Sequence, residues 1–561
     1  MEMNNINKPD SSTNYKPESE MTKILSFPAS QSTGKQLLND TEEQSENLDT
    51  DANLPLRTAY RQYSKVSLWV LGLSSVVILW GYDLSVVGAI ASLEPFQRDF
   101  GVFDKMVDGK EKWIIPQIWL SLWQAFPAIG QLVGAIIGGP LADSRGRRSC
   151  MLWGAILVTI SILIEFLANR VPSLDGMRGV FLAGKMLQGL ATALLKITTQ
   201  TWISETVPVC LRGPSMAIIP AANLVGQLLG ALAVFAVNGV ETDMGYLITL
   251  GLQWFFCIAP FIMASTLPEP PVYLVRKQRL DDATHSIHRL FAPKNDCDKI
   301  LSQLQTSEQE EASKAYSDGA PTYAECFRGA NRRRTAIVIF ANFLPPLFGL
   351  TLLSSASYFL QQVGMSSMYS LVFLIVGIII GFLGNAGSTW TLSHLPRRRL
   401  TIATLLVAAV LWGGMGITGL FPAAEKSGIA AWLTAAFMML IIFVCGLGCW
   451  SASYSIMSEV SSLRLRATSQ AIGGVAAYIA AIFANFVLPY LYNPDSADLK
   501  AKTGWVFMGT SVIAAAATWA IVPEMRARSA IEIDRMFESG IPAWKTSSWV
   551  DEKGSAGRAT T

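Results

Sequence analysis

The sequence predicts an all-α membrane protein whose twelve transmembrane helices form two six-helix repeats. Three observations carry this reading. Apolar runs of roughly 20 residues, the length that crosses a hydrocarbon core, recur twelve times along the 561 residues. Every arginine cluster follows an even-numbered run, which places all clusters on one face. Several short landmarks recur at a single offset of about 250 to 255 residues. Composition agrees, with 51% hydrophobic and 15% charged residues, where soluble domains carry charge on about 25%.

Residues 1–62 are rich in Ser, Asn, Glu and Asp and lack the basic start and apolar core of a cleaved signal, so a disordered tail is expected. The runs then fall near 66–92, 117–139, 149–169, 178–202, 214–237 and 246–267, and near 336–361, 370–392, 400–421, 429–456, 468–491 and 504–522. Domain limits follow: a first six-helix half at 63–267, a linker with helices at 268–335, a second half at 336–523 and a tail at 524–561. The arginines sit at 145, 147 and 148, at 212, at 276 and 279, at 332–334, at 397–399, at 464 and 466, and at 526 and 528. The positive-inside rule makes their face, and with it both termini, cytoplasmic.

The pattern turns on Gly138-Gly139-Pro140-Leu141-Ala142-Asp143-Ser144-Arg145-Gly146-Arg147-Arg148, a small-residue helix end running into a basic loop. Its Gly146-Arg147-Arg148 recurs as Pro396-Arg397-Arg398. Ser204-Glu205 with Leu211-Arg212 recurs as Ser458-Glu459 with Leu465-Arg466, and Pro268-Glu269 recurs as Pro523-Glu524. Two parallel repeats with a site between them at mid-membrane produce such a pattern.

Other chemistry is not signalled. The seven cysteines lie mostly in or beside apolar runs and read as packing residues, including Cys445 and Cys449 on one helix. His285 and His288 share a helix face but have no third ligand, and His394 stands in a loop, so neither a metal site nor a catalytic constellation can be assembled. No enzyme activity and no cofactor are expected. The absence of a phosphate-cradling glycine loop excludes a pump driven by its own ATPase domain. A net charge of +2, gathered in a few loops, gives no reason to expect a nucleic-acid partner.

These motifs resemble the sugar porter family of the major facilitator superfamily. They include Gly81-Tyr82-Asp83, the basic loop, Ser204-Glu205 through Arg212-Gly213, Pro268-Glu269 and Pro523-Glu524. The fungal α-glucoside (maltose) permease branch is similar in Trp123-Gln124, Glu325-Cys326-Phe327-Arg328-Gly329, Leu488-Pro489-Tyr490, Asn493-Pro494, Lys502-Thr503-Gly504, Glu532-Ile533-Asp534, Phe537-Glu538 and Ile541-Pro542-Ala543. The resemblance covers roughly Val66 to Trp544. It implies the major facilitator fold, uptake of a sugar with a proton by alternating access, a plasma-membrane address among lipid, and a monomer. In the family the aspartate matching Asp83 takes up the driving proton and pairs with a basic residue of span 4. Here that position holds Lys185, and Lys196 is a second cation on the same span; the sequence does not say which of them Asp83 meets.

The resemblance also implies a cytoplasmic charge relay of Asp143, Arg145, Arg147, Glu205 and Arg212, with Glu459, Arg464 and Arg466 as its second-half share. Gln227 matches the family's substrate-binding glutamine, and Tyr454 the aromatic of span 10. Gln124, Gln131, Asn342, Tyr478 and Asn485 are further intramembrane polar groups, each able to serve the substrate or to join helices. Departures are visible: Pro345 stands where span 7 carries glutamine, Trp80 and Gln131 where the branch carries acids, and Trp450-Ser451 replaces Gly-Pro. The resulting apolar pocket opens an alternative, a carrier of a non-sugar solute such as a specialised metabolite, moving it outward. A nutrient sensor on the same scaffold is disfavoured by the short tail.

Overall fold

A computed structural model describes residues 56–107, 110–293, 296–318, 322–421, 428–462, 465–526, 528 and 530–549. Most of the expected N-terminal tail, and Arg464, therefore lie outside the described residues. The last residues of that tail, Leu56–Gln62, are helical instead of irregular; the stretch lacks Gly and Pro and is made largely of good helix formers.

Span 1 is Ser64–Ile90, span 2 Gln117–Arg145, span 3 Arg147–Leu167, span 4 Leu174–Thr206, and span 5 Val209–Val237. Span 6 is nearly continuous over Met244–Gly251 and Gln253–Thr266. In the second half, span 8 is Ser367–His394, span 9 Arg397–Thr418, span 11 Arg466–Tyr492 and span 12 Thr503–Ile521. Span 10 runs from Ile429 to Val460 and contains one π turn, Gly446–Trp450.

Among the described residues, eleven helices are long and apolar enough to cross a membrane. The twelfth, span 7, does so in pieces: Gly329–Leu347, Leu350–Ser354 and Ala356–Gln362. Pro345 and Pro346 remove two amide donors from the ladder, and Gly349 then takes φ +91°, a left-handed turn that a side chain would strain. The result is the multi-pass, twelve-helix, two-repeat architecture that the apolar runs predict.

Helices of one half touch through glycine. A Cβ built on Gly81 of span 1 falls 2.1 Å from the Asn223 carbonyl oxygen of span 5, and one on Gly226 of span 5 falls 2.2 Å from the Ile78 carbonyl oxygen. Backbone cannot yield as a side-chain tip can, so Gly81→Ala is expected to cost at least the ~1–3 kcal/mol of an overpacked core. The check is the thermal midpoint of the purified chain; an unchanged midpoint would mean that spans 1 and 5 part freely.

Polar bonds join the two halves at the face opposite the arginines. Gln361 Nε2 donates to the Ser92 carbonyl at 2.9 Å, Ser367 Oγ to Asn238 Oδ1 at 2.6 Å, Asn493 Nδ2 to the Ile115 carbonyl at 3.0 Å, and the Gln117 amide to Asp495 Oδ2 at 2.8 Å. A helix, Glu94–Phe100, and an antiparallel pair of strands, Val102–Val107 and Lys110–Ile114, cover this face. The strand pair was not foreseen from the sequence.

On the arginine face, the short helices Pro271–Arg276, Leu280–Phe291 and Cys297–Asp318 follow span 6. The C-terminal segment is more ordered than a plain tail. Its helix Ala530–Glu538 buries Ile533, Met536 and Phe537 against Ile337 and Val338 of span 7 and Ile456 of span 10. Asp534 pairs with the buried Arg334, and Phe537 lies 4.7 Å beneath the same guanidinium.

Candidate functional site

Span 4 brings the charge of the interior to one point. The Lys185 ammonium, fully buried, donates to Asp83 Oδ1 of span 1 at 3.1 Å and to Gln188 Oε1 one turn on at 2.8 Å. A second carboxylate, Glu165 of span 3, stands 2.8 Å from the same nitrogen through Oε2. Gln188 Nε2 continues the chain to Gln253 Oε1 of span 6 at 2.6 Å. Spans 1, 3 and 4 thus meet at one cation, and span 6 joins through Gln188.

The two carboxylates differ in access. The Asp83 side chain is 10% exposed and that of Glu165 is sealed at 0%. Among the described residues Glu165 Oε1 has no hydrogen-bond donor. One cation between two acids leaves a single uncompensated negative charge, and burying such a charge is expensive unless a proton or an ion cancels it. The arrangement is suited to holding one proton between two carboxylates.

The second cation lies elsewhere. Lys196 Nζ sits 4.6 Å from the Trp80 ring centroid of span 1 and 5.8 Å from that of Tyr478 in span 11. Asp83 meets Lys185, then, and the choice left open by the sequence is settled by helix phase.

Beside Asp83, Leu84 and Ser85 line a small cavity, part of it open to solvent, bounded also by spans 5, 7, 8 and 10. Gln227 reaches it, donating to Asn223 Oδ1 at 2.7 Å. The broken part of span 7 contributes Leu350, Leu353 and Ser354, and the π turn of span 10 contributes Trp450. Most of the remaining wall is aliphatic or aromatic. Ser85 Oγ, buried with no partner among the described residues, is one of its few polar groups.

The other expected contacts are not gathered there. Tyr454 is 60% exposed and away from the cavity wall, one turn beyond Trp450, which takes the aromatic position instead. Asn342 Nδ2 bonds the Val338 carbonyl at 2.9 Å and Met457 Sδ at 3.1 Å, joining spans 7 and 10. Gln124 is buried beside Tyr492, at the contact of spans 2 and 11. Asn485 and Gln131 are half-buried on spans 11 and 2, outside the lining.

At the arginine face each half closes a charge cluster of its own. Arg147, 2% exposed, is bidentate to Glu205 at 2.6 and 2.9 Å and bonds Asp143 at 3.0 Å. Glu269 accepts the Arg147 and Arg148 amides, each at 3.0 Å, and burial pushes its carboxyl up from the ordinary range against that pull. The second half repeats this: Arg397 grips Glu459 at 3.1 and 3.2 Å, and Glu524 accepts the Arg397 and Arg398 amides at 3.1 and 3.3 Å. Glu459 therefore pairs with Arg397 and not with the expected Arg466, which is exposed; Arg464 lies outside the described residues. Arg145, Arg212 and Arg466 lie near helix ends and are exposed.

Glu165, Arg397, Glu269 and Glu524 escaped assignment as partners in these clusters. The signals existed: an acid inside the third apolar run, and the repeat offset, which maps Arg147 onto Arg397.

Comparison with known proteins follows the same line. The family model described as sugar (and other) transporter matches residues 69–537. The MFS transporter fmqE of Aspergillus fumigatus is 29% identical over 472 residues, covering 82% of this chain and 84% of that protein. A maltose permease of Saccharomyces cerevisiae is 26% identical over 509 residues, covering 89% and 80%, and the general alpha-glucoside permease of that yeast is 25% identical over 526 residues, covering 91% and 82%. The inward open xylose transporter XylE from E. coli shares the fold, with a TM-score of 0.65 at 18% identity over 84% of this chain and 99% of that one.

Proposed function

Because the chain belongs to the sugar (and other) transporter family, we propose that it is a proton-coupled carrier that takes up a sugar, an α-glucoside or a hexose, across the plasma membrane. The observation that carries the coupling is the Lys185 ammonium held between Asp83 and Glu165, with Asp83 next in sequence to Leu84 and Ser85 of the cavity wall. The relatives named maltose and alpha-glucoside permeases support the sugar and the direction.

The chain's own residues divide the work. Asp83, the more accessible acid, takes the proton and so loosens its hold on Lys185; spans 1 and 4 are then free to shift. Gln227, Ser85 and Trp450 receive the sugar, the amide and hydroxyl for its hydroxyls and the ring for its C–H face. The two six-helix halves, 63–267 and 336–523, rock about this site. With the arginine face and both termini cytoplasmic, the bonds of Gln361, Ser367, Asn493 and Gln117 close the outer face, and this conformer is inward-facing. The Arg147–Glu205 and Arg397–Glu459 pairs are the charges whose rearrangement across the halves favours the other state. The carrier acts as a monomer among lipid.

The test is uptake of labelled maltose, trehalose and glucose, at acidic and neutral outside pH, by yeast stripped of its own hexose and maltose carriers. One sugar is expected to accumulate, faster in acid, with accumulation lost on adding an uncoupler. If none moves although the protein reaches the cell surface, the sugar reading is wrong.

A further inference from the structure

Between their charged ends the spans hold four full charges: Asp83, Glu165, Lys185 and Lys196. Three of them form the cluster already described, which carries one negative charge in excess. The fourth stands apart. Lys196 lies eleven residues beyond Lys185 on one helix, about 16 Å along its axis, and among the described residues no carboxylate comes within ion-pair distance of it.

Lys196 stands ten residues before the end of span 4 at Thr206, and its ammonium is held between the Trp80 ring at 4.6 Å and the Tyr478 ring at 5.8 Å. All three residues are half-buried, neither sealed in packing nor free on a surface. Spans 1 and 4 belong to one half and span 11 to the other, so the group bridges the seam along which the halves move.

We propose that Lys196, with Trp80 and Tyr478, binds the anionic group of the cargo, which makes the substrate a sugar acid with one carboxylate. This rests on the sugar-carrier reading and narrows it. The argument is charge balance across the cycle. An empty carrier holds one uncompensated negative charge at Lys185 and one uncompensated positive charge at Lys196. A proton cancels the first and a carboxylate the second, so the loaded carrier crosses its midpoint with no unpaired charge in the low-dielectric interior, where such charge is costly. A single ammonium matches a single carboxylate; a phosphate ester, with nearly two negative charges and a preference for forked guanidinium donors, would leave charge over. The two rings supply the apolar faces that a sugar body needs beside its charge.

The experiment is a calorimetric titration of the purified full chain with D-galacturonate and with its methyl ester, which differ in charge at one group, and with maltose and glucose. Wild type is expected to bind the acid at least about tenfold more tightly than the ester. Lys196→Gln should bind both alike, its ester affinity reporting an intact fold, and Lys196→Arg should keep the preference. Equal binding of acid and ester by the wild type, or an undiminished preference in Lys196→Gln, overturns the proposal. Binding of maltose or glucose without the acid overturns it too and leaves the sugar-carrier reading standing, whereas a carrier that binds none of these probes refutes both.

Discussion

Asp83→Asn is expected to abolish uphill accumulation while leaving the protein folded and able to exchange its substrate between equal pools. Asparagine matches aspartate in size, so the packing of span 1 on span 4 survives. It cannot take a proton, and Lys185 keeps Glu165 at 2.8 Å as its counter-ion, so no unpaired charge is left behind. Each unit of pH difference across the membrane is worth about 1.4 kcal/mol, a tenfold concentration ratio, and the variant should lose that factor for every unit imposed. The measurement is steady-state accumulation in vesicles under an imposed pH gradient, beside exchange without one. Accumulation that survives would assign the driving proton elsewhere, with Glu165 the first place to look; loss of exchange as well would mean that Asp83 serves the substrate instead.

How far this site was legible in the sequence depended on spacing within one helix or contact between several. The twelve spans needed only apolar length and arginine placement, both local; the run at 336–361 counts with the rest, but its apolar length does not show that Pro345, Pro346 and Gly349 break the helix into pieces. Asp83 and Lys185 were legible one by one, because a charge in an apolar run is conspicuous. Their pairing was not: Lys196 lies on the same helix, and only the phase of span 4 against span 1 turns Lys185 toward Asp83 and Lys196 toward Trp80. Glu165 is equally conspicuous in its run but stands near the end of span 3, where an acid is often solvated, so the sequence does not mark it as a partner of Lys185. The Arg397–Glu459 pair shows the reverse. The repeat predicts it from Arg147–Glu205, whereas the family resemblance groups Glu459 with Arg464 and Arg466. In span 10 a local irregularity, the π turn at Gly446–Trp450, puts Trp450 on the cavity wall one turn before Tyr454.

The same charge geometry makes Lys185→Met a severe test. Methionine fills the volume of the lysine stem but leaves two carboxylates facing each other, one of them sealed from solvent, with no cation between them. Removing one partner of a buried ionic cluster typically costs about 3–5 kcal/mol, a large share of the ~5–15 kcal/mol that holds a protein folded. The variant is therefore expected to be scarce and aggregated when purified at neutral pH. The deficit should shrink in acid, where protonated carboxyls no longer need the ammonium. Adding Glu165→Gln should recover part of the loss at neutral pH by deleting one of the stranded charges, whereas adding a substitution at the exposed Arg145 should recover nothing. Thermal midpoints and the monodisperse fraction in detergent decide the matter. If Lys185→Met is as stable as the wild type at neutral pH, the two acids are already neutral without the lysine, and the cluster is not a balance of one ammonium against two carboxylates and a proton.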